Sequence, residues 1–90
     1  MAFEGMDIDA VASLAGQLDT QANQIQSTIG AIDGIIANME GSWKGADATE
    51  FQGWWQSQHR PHLAAAESAI SGLAHSARNN VAQQQQASAL

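Results

Sequence analysis

Two histidines three residues apart, His59 and His62, come closest in this sequence to a metal-binding arrangement, because side chains at i and i+3 share one face of a helix. His75 follows further on. Pro61 lies between the first two, there is no cysteine, and the nearest acid is Glu67. Three converging ligands therefore cannot be assembled, and the pair reads as surface or seam histidines beside a kink. A secondary reading is a pH-sensitive interface, since protonating His62 would place charge near apolar contacts at mildly acid pH. Serines are plentiful, yet none sits in a strand-turn-helix elbow, and the acids are scattered singly in the manner of a solvated face. No catalytic residue, metal or cofactor is expected, and the chain does not read as an enzyme.

Charge narrows the partners. Three Lys and Arg stand against nine Asp and Glu, a net charge of -6, which repels a phosphate backbone and an anionic membrane face. Nucleic acid is thus an unfavourable partner. The opening segment MAFEGMDIDA lacks the basic stretch and apolar run of a secretory signal, and no run of about 18 apolar residues offers a membrane span. On these grounds alone the expectation is a cytoplasmic protein without stable membrane insertion.

The elements that would position any site follow from spacing. Ile8, Val11, Ala15, Leu18, Ala22, Ile25, Ile29, Ile32, Ile36, Met39 and Trp43 alternate in steps of three and four, a period of 3.5. Such a seam predicts one long helix, about 7–40, packed at a small left-handed angle on another. Asp7 is its expected N-cap and Gly41 its C-terminal cap. Asp47-Ala48-Thr49-Glu50 reads as a capping box that restarts the chain as a second helix, about 47–82. Its apolar positions are Ala48, Phe51 and Trp55, then Leu63, Ala66, Ile70, Leu73, Ala77 and Val81, resuming in a slightly different register after QHRPH. Pro61 predicts a kink near Ser57 to Pro61, with a full break as the lesser outcome. The glutamine-rich end, 83–90, is expected to fray.

Two helices of this length joined by a short turn, 41–46, must run antiparallel, so the fold expected is an all-α helical hairpin in a single domain. A hairpin buries one stripe on each helix. Leu14 and Ile35 lie off the main seam, and the adjacent Trp54 and Trp55 point about 100° apart, so these positions call for a second hairpin and a four-helix bundle. The interface set, within the hairpin or between hairpins, is Leu14, Leu18, Ile25, Ile29, Ile32, Ile35, Ile36, Phe51, Trp54, Trp55, Leu63, Ile70 and Leu73. Ser27, Gly30, Gly34, Ala37 and Gly41 form a smooth strip opposite the isoleucines, either a tolerated exposed face or a place where another backbone approaches.

The central turn carries Trp43-Lys44-Gly45, followed by Ala48 and Phe51. Placed between two heptad-patterned helices of a small, acidic chain, this W-x-G resembles the WXG family of type VII secretion substrates over essentially its whole length. The resemblance implies antiparallel four-helix dimers, homodimeric or heterodimeric, exported folded through a machine driven by a hexameric ATPase. It implies a secreted or cell-surface location, which overturns the cytoplasmic expectation. It also implies that Trp43 and Gly45 form one half of a composite export signal, the other half being a Tyr-x-x-x-Asp/Glu tail on the partner. This chain contains no tyrosine; Val81 with Gln85, or Asn80 with Gln84, stands there instead. A WXG-like partner supplying the tail is therefore slightly favoured over a homodimer. The alternative is a cytoplasmic adaptor that pairs with the helical leader of a larger secreted toxin.

Overall fold

The computed structural model describes residues 6–89. Helix α1 spans Ile8–Met39, α2 spans Ala46–Trp54, a π-helical turn covers Trp55–His59, and α3 spans Arg60–Ala89. The last three run without interruption as one arm, which returns antiparallel along α1. The molecule is a rod of 67 × 17 × 15 Å, its long dimension being that of the second arm, about 66 Å at about 1.5 Å per residue.

Helix α1 begins where the sequence places it. The Asp7 carboxylate accepts a hydrogen bond from the Ala10 amide at 3.1 Å, satisfying a first-turn donor. Along α1 every seam position from Ile8 to Met39 is buried or half-buried. Ala15, Ala22, Ile29 and Ile36 are the most buried, one per heptad. Small residues at two of these four positions let the helices approach closely at the open end of the hairpin. Toward the turn, Ile29, Ile36 and Trp55 form a cluster supported by Ile25, Ile32, Met39, Leu63 and Ala64.

The end of α1 differs from expectation. Glu40, in right-handed helical conformation, is the C-cap, and Gly41 does not adopt a left-handed one; Gly45 alone has positive φ among the described residues. The chain leaves through Gly41, Ser42 and Trp43, whose amides donate to Asn38, Met39 and Met39 respectively. These bonds satisfy terminal carbonyls without a left-handed residue. Position 43 consequently lies beyond the helix, so Trp43 does not close the seam as its spacing predicts.

On the second arm the seam runs through Ala48, Gln52, Trp55, Arg60, Leu63, Glu67, Ile70, Ala74, Ala77, Val81 and Gln84. Its steps alternate between three and four except from Trp55 to Arg60, where the step is five. Phe51, Ala66 and Leu73, expected in the seam, are exposed, and Gln52, Glu67 and Ala74 occupy their places. For Ala66 and Leu73, which follow it, the reason lies in the sequence: Trp55 and Leu63 are separated by eight residues, one more than a heptad. The π-turn absorbs the extra residue, the Arg60 amide donating five residues back to the Trp55 carbonyl. The disturbance expected at Ser57 to Pro61 thus takes the form of a π-turn within a continuous helix. Pro61 has no amide, so it stands where the ladder changes from i-5 back to i-4. Residues 83–89, expected to fray, continue α3, in keeping with the high helix propensity of Ala and Gln.

Candidate functional site: an exposed turn and an apolar flank

The turn is shaped by Gly45. Its φ of 109° and ψ of -174° place it in a region essentially reserved for glycine, and it serves as the N-cap of α2. No heavy atom lies within 4 Å of a Cβ added there, so the constraint comes from the backbone and not from crowding. The expected capping box at Asp47 is not formed. Gly45 starts the helix two residues earlier, which leaves Asp47 inside the first turn, where its charge favours the positive end of the helix dipole. The Gly45 carbonyl accepts from both the amide and the hydroxyl of Thr49, at 3.1 and 3.2 Å.

Trp43 stands 42% exposed at this end of the rod. It meets the ring of Phe51 with centroids 5.4 Å apart and planes inclined at 50°, an attractive tilted arrangement. Phe51 therefore takes its apolar contact from Trp43 and not from the seam. Beside them Glu40, Trp43, Lys44, Gly45, Ala48, Thr49 and Gln52 line an open recess of about 260 Å³. The turn is an aromatic knob with a shallow, mixed-polarity hollow at its foot.

Counting each heptad with the seam at a and d divides the sides of the hairpin. Leu14 and Ile35 immediately precede the buried Ala15 and Ile36, at g; Phe51 and Leu73 immediately precede Gln52 and Ala74, again at g. Trp54 lies at the adjoining c position. In antiparallel pairs the g positions of both helices share a flank. These five side chains, the large exposed hydrophobics apart from Trp43, keep 40–64% of their surface. One flank of the rod consequently presents five large apolar side chains to solvent, interspersed with polar residues such as Gln21, Thr28 and Asn80.

The opposite flank is ionic. Arg78 pairs with Asp19 there, e to e across the hairpin. Near the turn, the Asp33 carboxylate takes three groups. The Trp55 indole donates to Oδ1 at 2.8 Å, Arg60 Nε donates to Oδ1 at 3.1 Å and to Oδ2 at 3.2 Å, and Arg60 Nη2 donates to Oδ2 at 3.0 Å. The Arg60 hydrogen bonds, seconded by that of Trp55, hold the Asp33 carboxyl below its ordinary pKa, and Asp33 in turn raises that of Arg60. Sequence spacing assigned Asp19 and Asp33 to a solvated face. Their cross-hairpin partners were not visible locally, because each lies on the other arm; an acid at e, next to a seam residue, was the available signal.

The remaining sequence-derived residues fall in the hairpin itself. Ile29, Ile36 and Trp55 are buried, while Leu18, Ile25, Ile32, Leu63 and Ile70 are half-buried. His59, His62 and His75 are exposed, and among the described residues no three His, Cys, Asp or Glu gather as a metal site. Gly30 and Gly34 are exposed with open space where a Cβ would be. Among the described residues no helix is long and apolar enough to cross a membrane.

A family model, WXG100, described as proteins of 100 residues with WXG, matches residues 5–88. Neither the curated proteins nor the solved structures compared with the chain give a match.

Proposed function

We propose, from the premise that the chain belongs to the WXG100 family of small type VII secretion substrates, that it is exported as a dimer with a WXG-like partner, displaying Trp43 and Gly45 as its half of the export signal. The observation that carries this reading is the exposed tryptophan of the turn. A backbone conformation available to glycine presents Trp43 at the tip of the rod, where burial in the hairpin does not account for it.

Two further features support a partner. The apolar flank of Leu14, Ile35, Phe51, Trp54 and Leu73 is of the kind that a second hairpin covers in a four-helix bundle. The tail supports a partner other than a second copy: Val81 and Gln84 are half-buried in the seam, and neither supplies the aromatic or the carboxylate of the family's tail signal. In this reading the partner contributes the tail, the export ATPase reads the composite of tail and turn, and the dimer reaches the cell surface or the medium.

Export and assembly are tested together with Trp43→Ala, expressed with the products of the flanking genes. The expected result is unchanged helix content and unchanged association, with loss of the protein from the culture medium. Export at the native level would remove Trp43 from the signal. A stable homodimer that ignores both neighbours would defeat the heterodimer.

A further inference from the structure

The π-turn has a feature that the seam alone does not require. A single carboxylate on α1, that of Asp33, bonds to both Trp55 and Arg60, the residues that bracket the turn. Five residues apart on a regular α-helix, two side chains diverge by about 140°, and one carboxylate cannot serve both in this way. On the wider π-turn they come to the same side, and the Arg60 amide reaches the Trp55 carbonyl.

We propose that Asp33 is a latch: by engaging Trp55 and Arg60 together it holds the second arm in the π-turn and so fixes the rotation of α3 relative to α2. The consequence reaches well beyond the turn. With the extra residue absorbed, Leu73 lies three heptads from Phe51 on the outer flank, and Ala74 lies against α1. A regular α-helix through residues 55–60 would turn α3 by about 100°. It would move Leu73 into the seam together with His62, Ser76 and Asn80, and would lift Leu63, Ile70 and Val81 out of it.

Packing of Leu63 and Ile70 also favours the observed rotation, so the latch must be separated from the seam. Four chains do this: the native protein, Asp33→Ala, a chain lacking Gln58 and carrying Pro61→Ala, and that shortened chain with Asp33→Ala added. Gln58 is exposed, and its removal returns the step between Trp55 and the arginine to four. Pro61→Ala restores the missing amide, so the shortened arm is expected to be α-helical with every face unchanged and nothing left to latch.

Thermal unfolding followed by circular dichroism is expected to show that Asp33→Ala lowers the midpoint of the native chain by roughly 4–8 °C. In the shortened chain the loss is expected to be less than half as large. Equal losses in the two backgrounds would reduce Asp33 to an ordinary ion-pair partner and overturn the proposal. Amide hydrogen exchange on full-length Asp33→Ala gives a second reading should the shortened chain not fold. Exchange at His59 and Arg60 is expected to rise at least tenfold with Ala22 to Ile29 unchanged, and unaltered exchange at the turn would equally overturn the latch.

Discussion

At the scale of single residues, two positions carry effects out of proportion to their size. Gly45 adopts a φ of 109° in open space, so Gly45→Ala is expected to cost about 1–3 kcal/mol from backbone strain, read as a lower unfolding midpoint. Asp33 carries a pH dependence whose sign is fixed by its lowered pKa. Its stabilising contribution is complete above its unfolded value, near 3.8, and is lost as pH falls through the lower folded value. As pH falls below about 4 the native chain is therefore expected to lose stability more steeply than Asp33→Asn, measured by denaturant unfolding at each pH. The sequence disclosed Gly45 through its place in a turn. It did not disclose Asp33, because the carboxylate's partners stand 22 and 27 residues away on the other arm.

At the scale of elements, α1 was legible from spacing alone, since a strict seam of period 3.5 leaves one way to bury its stripe. The second arm was legible in type but not in face. An eight-residue gap between Trp55 and Leu63 signals a change of register, yet spacing cannot say whether a kink, a break or a π-turn takes it up. Leu73 is misplaced for that reason; Phe51 lies ahead of the gap, where its ring meets that of Trp43 outside the seam. The exposed face of α1 offers a separate test. Gly30→Ala and Gly34→Ala meet no neighbour within 4 Å, and each is expected to stabilise the helix by about 0.5–1 kcal/mol, seen as a raised midpoint. Intact association in the double variant would leave the glycine strip as an exposed face, whereas its loss would mark a close backbone approach.

At the scale of the whole molecule, a rod only 17 × 15 Å in cross-section buries few large side chains fully, and its two flanks differ in kind. The ionic flank closes the hairpin on itself through Asp19, Arg78, Asp33 and Arg60. The apolar flank leaves Leu14, Ile35 and Leu73 to solvent. Ile35→Glu and Leu73→Glu are expected to leave the monomer helical, because neither side chain packs in the seam, and to abolish association with a partner, measured as mass by light scattering of the co-expressed proteins. Loss of helix content instead would assign these residues to the hairpin. That one of the adjacent Trp54 and Trp55 must stay outside the hairpin was readable in the sequence; which flank carries it required the register of both arms.

The handedness of Gly45 extends to chemistry outside the genetic code. Reflecting its φ and ψ gives -109° and 174°, ordinary extended backbone for an L-residue, so the observed angles are ordinary for a D-residue. A chain of 90 residues assembled by peptide ligation with D-alanine at position 45 is therefore expected to match or exceed the native protein in stability, where L-alanine weakens it. The achiral glycine of the turn thus takes up a backbone that, among residues with a side chain, only the mirror-image amino acids absent from ribosomal synthesis hold without strain.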